Sequence, residues 1–457
     1  MTGLDGNGKD RGDAKREKRR MNAISWSVKR ELPVIREVDV LICGGGPGGL
    51  GGAVFAARAG AKVALIERYG APGGMAFYGE VHPFMPSHAD GLPLDRPVYG
   101  EWIERMLSYL PPSLARACTG KADGFERMID KDAASLAAED LLLQAGVELL
   151  YHHAAVDVIR DGRRIAAVVA EAKGGPVALA AKTFVDATGD GDIAAFAGNE
   201  FEYGGPAGDA QPMTLCFKLS GIDFSGTDSA SVRRELDRAY QAAKRDGRID
   251  CPREDVLMFG TRNPGVIHFN TTRIVKRNGV DGRDLAAAER EGRRQLRALL
   301  ALFRSASPAF REARLHSMAG HVGVRETRRI LGRAYATRRW FEEARKEPDA
   351  VLRCSYPIDI HNPGGAGTEL VRLNPGDWYE IPYGCVVARD LDNLAVGCRA
   401  VSVDHALHSS LRVMPPVVSL GQAAGLAAAW GALRGCPLGG LDGREVREGL
   451  AAMGAFL

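Results

Sequence analysis

Residues 38–43, Val-Asp-Val-Leu-Ile-Cys, are apolar at most positions and rich in β-branched side chains, the pattern of a buried strand. A run of small residues over 48–59 predicts a closely packed helix, and 62–66 reads as a second strand that ends at Glu67. Far along the chain, 183–186 and 393–397 repeat the strand signal. Between them, a strand-like run at 213–222 precedes two stretches, 230–246 and 284–305. Both carry apolar residues at helical spacing and charged outer faces. Residues 325–328 are read as helical, with Arg325 and Arg328 on one face. A further small-residue helix is predicted at 419–430, inside the apolar stretch 413–433. That stretch has the length of a membrane span, but its prolines, Ser419, Gln422 and many small residues predict a buried helix. No internal repeat of fixed period is present.

Strands interleaved with helices indicate an α/β protein. The 457 residues suffice for two or three domains, and the 56 glycines suit many tight strand-to-helix turns. Net charge is only +3, so the whole chain is no polyanion binder by charge alone, and nucleic acid is disfavoured as a partner. The basic excess sits in Lys9 to Arg20, inside a leader of residues 1–33 that is expected to be disordered. The leader has no apolar core of the kind a secretory signal needs. The eight cysteines form no CxxC and no zinc-ligand spacing. These features point to a cytoplasmic protein with no metal site.

The sharpest motif joins the first predicted strand to the first helix. Gly44, Gly46 and Gly49 make a GxGxxG, and Glu67 follows about 20 residues on. The first glycine permits the turn, the second lets backbone approach a pyrophosphate, and the third lets helix and strand pack closely. Glu67 would accept hydrogen bonds from ribose hydroxyls and would repel a 2′-phosphate, which disfavours NADP. The motif leaves FAD and NAD open. Three later stretches favour FAD: Gly73-Gly74 just after the ribose acid, the turn at 187–192, and the late strand and small-residue helix. No second strand–GxGxxG–helix–acid unit exists to make a dedicated NAD(P)H domain.

The stretches GGGPGG with IER, PGGMA, VDATGDGD, VGVRETRRILG, IPY, RVMP and GQAAG together resemble FAD-dependent oxidoreductases related to fumarate reductase and succinate dehydrogenase flavoproteins. The resemblance implies a non-covalently held FAD in a glutathione-reductase-like Rossmann domain. That domain would be split into 34–205 and 378–457, with an α+β substrate domain inserted at 206–377. By the same likeness, Gly44, Gly46, Gly49, Glu67, Arg68, Gly74, Met75, Asp190, Arg399 and a turn at Gly421-Gln422 would contact FAD, with Ala155 near adenine. The chain has Gly397-Cys398-Arg399 where the family usually has Ala-Gly-Arg, and Ser409 where it usually has glycine.

For chemistry on a substrate, the candidates are His321, Arg325, His405 and Arg412. Arg325 and Arg328 would offer guanidinium forks to a carboxylate; alternatively they pair with Glu326 and tie the chain together. His405 follows Asp404 and would serve as a general base; alternatively it is a hydrogen-bonded structural histidine. The expected activity is hydride transfer between FAD and a small polar, in part anionic, organic molecule, with an electron acceptor or donor not legible in the sequence. The competing expectations are a non-catalytic flavin scaffold, a flavoprotein acting on RNA, and an enzyme of the thiazole-biosynthesis type.

Overall fold

A computed structural model describes residues 31–89, 91–115 and 128–457. The basic run at 9–20 and Cys118 lie outside the described residues. Strand β1 (Val34–Cys43), helix α1 (Pro47–Arg58) and strand β2 (Val63–Glu67) form the expected opening unit. β1 lies parallel to β2 on one side and to the strand Gly175–Asp186 on the other. Glu148–Tyr151 extends the sheet beyond β2, and Leu394–Val396 adds in parallel to the far end of Gly175–Asp186. The first half of Gly175–Asp186 pairs instead with an antiparallel meander, Arg164–Ala172 and Ala154–Asp161, completing seven strands. This is a Rossmann-like α/β arrangement. Alternation along β1 explains the two-sided burial. Val40 and Ile42 enter one core, while Leu41 and Cys43 enter the core on the opposite face.

The apolar C-terminal stretch is the helix Met414–Arg434, long and apolar enough to span a membrane by composition, yet 89% of its most apolar window is buried inside the molecule. It lies against α1 with backbone in contact with backbone. A Cβ on Gly421 would sit 2.0 Å from the Gly48 carbonyl oxygen, and one on Gly425 would sit 2.0 Å from that of Gly52. The glycines on both helices therefore answer each other, and any larger residue would force the helices apart.

This helix begins earlier than the pattern predicts, at Met414 rather than 419. Pro415 and Pro416 occupy its first turn, where a missing N–H costs nothing. The expected Gly421-Gln422 turn is consequently helix interior.

A second, antiparallel sheet has the order Met258–Gly260, Val266–Phe269, Phe217–Ser220, Arg314–Met318. Only Phe217–Ser220 of the predicted 213–222 run is regular strand; Met213 and Thr214 form isolated bridges to Ile274 and Gly323. The helices Ser229–Arg245 and Gly282–Ala306 cover this sheet, capped by Asp228 and Asp281, whose carboxylates accept the first free backbone N–H groups. Their apolar faces join the sheet in a separate core running from Met213 to Val322. Later residues, Phe341, Val351, Leu352 and Ile358 among them, pack into the first core instead. The helix expected around Arg325 and Arg328 is absent. Arg328–Ile330 is a short strand paired with Phe201–Tyr203, so the ladder displaces the helical turn.

Candidate functional site

Two adjoining cavities lie where the two sheets and the core helix meet. The first, about 590 Å³, follows the end of β1 and the start of α1. Gly44 has φ +112°, and a Cβ there would fall 2.4 Å from the Ala187 carbonyl oxygen. Only glycine allows the β1–α1 turn to pass so close to the 187–192 turn. The N-terminus of α1 is open. It has no side-chain cap and no acidic residue in its first turn, and Gly46, Pro47 and Gly48 line the cavity. Glu67 ends β2 beside it. One carboxylate oxygen accepts from the Gly45 N–H at 2.7 Å and the other from the Tyr69 N–H at 2.9 Å. Arg68, Gly74, Met75, Ala155 and His321 also line this space.

Across the cavity, Asp190 Oδ1 accepts from Arg399 Nη2 at 2.6 Å and from the Thr327 hydroxyl at 2.7 Å. Arg328 donates to Asp192 at 2.8 Å and to the Asp190 carbonyl at 3.1 Å. Arg325 and Arg328 thus diverge rather than forming one guanidinium face. Arg328 closes the first cavity, while Arg325 turns into the second.

The second cavity, about 600 Å³, shares Met75, Val324, Arg399, Arg412 and Met414 with the first. Its polar wall holds Arg253, Arg325 and Arg412. Arg325 Nη1 donates to the Pro212 carbonyl at 2.6 Å, and Arg412 Nη2 donates to the Asp359 carbonyl at 3.1 Å. Burial first, and then the neighbouring Arg412 and Arg253 charges, together push the Arg325 guanidinium down to about 9. Burial, followed by Arg325, Arg412, Arg253 and Arg273, holds His361 far below its ordinary value, so its imidazole is neutral. The nearby carboxylates are engaged. Glu254 pairs with Arg273 at 2.9 Å, Asp255 with Arg233 at 2.9 Å, and Asp359 with Arg412 at 3.5 Å. Arg253 lies 3.7 Å from Glu254 and 3.6 Å from Asp255, so of the three wall arginines only Arg325 has no carboxylate partner among the described residues.

The FAD dependent oxidoreductase family matches residues 39–450. The chain belongs to that family. Its cofactor is FAD, and it is an oxidoreductase. No curated protein matches the sequence. Among solved structures, the flavoenzyme is similar to a geranylgeranyl bacteriochlorophyll reductase-like protein of Thermoplasma acidophilum. The identity is 12%, over 92% of this chain and 83% of that one, with a TM-score of 0.43. It is also similar to the myxobacterial chondrochloren halogenase CndH, an FAD-dependent halogenase. Here the identity is 15%, over 90% of this chain and 78% of that one, with a TM-score of 0.43. These distant likenesses say nothing about the substrate of this oxidoreductase.

The first cavity suits FAD on two structural grounds. An uncapped helix N-terminus faces it, ready for a pyrophosphate, and a buried carboxylate stands beside it, ready for a ribose. Of the residues expected at the cofactor, Gly44, Gly46, Glu67, Arg68, Gly74, Met75, Ala155, Asp190 and Arg399 line this cavity. Among the described residues, three do not line either cavity. A Cβ on Gly49 would sit 1.9 Å from the Gly44 carbonyl oxygen, so its role is the close approach of helix to strand. Gly421 packs on Gly48. Gln422 is buried away from the cofactor space, accepting from the Val98 N–H at 3.0 Å and donating to the Arg96 carbonyl at 3.2 Å.

The catalytic candidates separate as well. His321 lines the first cavity, with its ring stacked 5.6 Å from that of Tyr69. Arg325 lines the second cavity, and Arg412 lines both. His405 lines neither among the described residues. Its Nδ1 lies 2.8 Å from the buried Glu326 carboxylate, which also pairs with Arg329 at 2.6 Å. Cys398 is buried, and burial, with Asp186 adding to it, pushes its thiol up to about 12, so it stays protonated. Arg253, Asp359 and His361 escaped the sequence reading. They carry no motif, and only the fold gathers them.

Proposed function

We propose that this oxidoreductase moves a hydride between FAD and a small, polar, anionic organic substrate seated in the second cavity. The single observation that carries this reading is the buried Arg325, which lines the second cavity beside Arg253 and Arg412 and has no carboxylate partner among the described residues. A buried cationic cluster is costly by itself, and an incoming carboxylate relieves that cost. When bound, FAD supplies the two-electron chemistry. The chain's own residues bind and orient the substrate. Arg412 and Met414 stand at the junction of the cavities, and the N-terminus of the core helix opens there, where its partial positive charge favours negative charge. Arg412 is held from behind by Asp359, whose carboxylate lies 3.6 Å from His361, which in turn accepts from Arg273 at 3.0 Å.

In this reading residues 34–205 and 378–457 form the cofactor unit and 206–377 supply most of the substrate wall. The finer kinship with fumarate reductase and succinate dehydrogenase flavoproteins belongs to the same proposal. His405 acts as a positioning residue through Glu326 rather than as the base. The experiment is anaerobic bleaching of the bound flavin by a panel of organic acids, with Arg325→Ala as the test variant. Turnover of the responding acid should fall at least tenfold while FAD stays bound. Unchanged turnover in Arg325→Ala would remove the arginine cluster from the reaction.

A further inference from the structure

The second cavity is not cationic throughout. Beside the arginines, the loop after Gly74 contributes Val81, Pro83 and Met85 to its lining. The edge of the small sheet contributes Leu257 and Phe259. These two segments are physically joined. The His82 ring lies 4.9 Å from that of His268, and His268 lies 6.0 Å from Phe259. Phe259, His268, Lys218 and Ser317 are cross-strand partners in one row of the small sheet.

Glu80 fastens the loop onto that row. It pairs with Lys218 at 3.4 Å, accepts from the Ser317 hydroxyl at 2.9 Å, and its carbonyl accepts from His268 at 2.8 Å. The apolar side chains of this wall are therefore held in place by buried polar contacts of Glu80, Lys218, Ser317 and His268.

We infer that the ligand of this cavity is a carboxylate-headed molecule with an extended apolar body, its head on Arg253, Arg325 and Arg412 and its body against Met85, Leu257 and Phe259. This rests on the proposed function for its anionic head and adds the body. About 600 Å³ lies in the range of pockets that enclose ligands of many heavy atoms. A compact dicarboxylate would leave the apolar wall facing water, whereas an alkyl or aryl body would cover it.

The test uses the FAD-loaded enzyme and follows the shift of the flavin absorption spectrum on titration with three probes: 4-phenylbutanoate, its amide, and succinate. The expected result is that phenylbutanoate binds at least about tenfold more tightly than either of the others. Phe259→Leu and Phe259→Ala should each weaken phenylbutanoate several-fold more than succinate, with FAD content as the check on folding. Succinate binding as tightly as phenylbutanoate, or a Phe259 effect equal for both, overturns the apolar body and leaves the anionic reading intact. An amide that binds as well as its acid overturns the anionic head and with it the proposed function.

Discussion

Gly421→Ala tests the claim that the nucleotide loop is positioned by a backbone-to-backbone helix contact. The added Cβ would stand 2.0 Å from the Gly48 carbonyl oxygen, and no Cβ sits closer than 3.0 Å to such an atom, so the two helices must part by at least 1 Å. Both helices are buried and neither can swing into solvent. Overpacking of this kind costs about 3 kcal/mol at the upper end of the usual range. Alanine returns about 1 kcal/mol of helix propensity, leaving a net loss of about 2 kcal/mol.

Because Gly48 lies in the first turn of α1 and lines the first cavity, the shift is also transmitted to the FAD site. The matched control is Gly100→Ala, in the helix Val98–Ser108, where an added Cβ meets nothing within 4 Å. That variant should be as stable as the wild type or more stable by about 0.5–1 kcal/mol. Urea unfolding of both variants, followed together with flavin release, decides the matter. A Gly421→Ala protein as stable as the wild type, with its FAD equally retained, would refute the reasoning.

Three further outcomes follow from the geometry. Glu67→Ala leaves the Gly45 and Tyr69 N–H groups without their acceptor and should weaken FAD binding by about tenfold or more, measured by flavin titration of the stripped protein. Glu326 sits at about 2; burial opposes this, but the His405 hydrogen bond and the charges of His408, His405 and Arg329 outweigh it. Its folded value is depressed, so its contribution to stability is complete above the usual carboxylate range and is lost as pH falls from about 4.5 to about 2. Glu326→Gln should flatten the stability profile in that window, and an unaltered slope in acid denaturation would contradict this. Asp95 is pushed by burial up to about 8, so ionising it in the unfolded chain costs the folded state increasingly as pH rises from 3.8 to about 8. Asp95→Asn keeps an acceptor for the Ser87 N–H and should raise stability at neutral pH, read from thermal midpoints at several pH values.

Local pattern served well where neighbours in sequence are neighbours in space. The β1–α1–β2 unit, the helices at 229–245 and 282–306, and the burial of the apolar C-terminal stretch follow from periodicity that any few turns of chain display. It failed where a distant strand competes. Arg325 to Arg328 has a helical spacing of charges, but Arg328–Ile330 pairs with Phe201–Tyr203, and the two arginines line different cavities.

By itself the sequence determined the cofactor end of this protein, because a dinucleotide loop is a contiguous device whose glycines and acid act within one short span. It also determined that glycines recur in the last helix, but not why. Tertiary structure decided that Gly421 and Gln422 hold α1 and the Val98 helix rather than the flavin, since only the packed helices show what an added atom would strike. It likewise decided the lining of the second cavity, the proposed substrate side. Arg253, Arg325 and Arg412 come from three separate segments, and their shared charge exists only once the fold has brought them to one wall. Coulombic repulsion and the exclusion of water act across space, and the order of residues along a chain records neither.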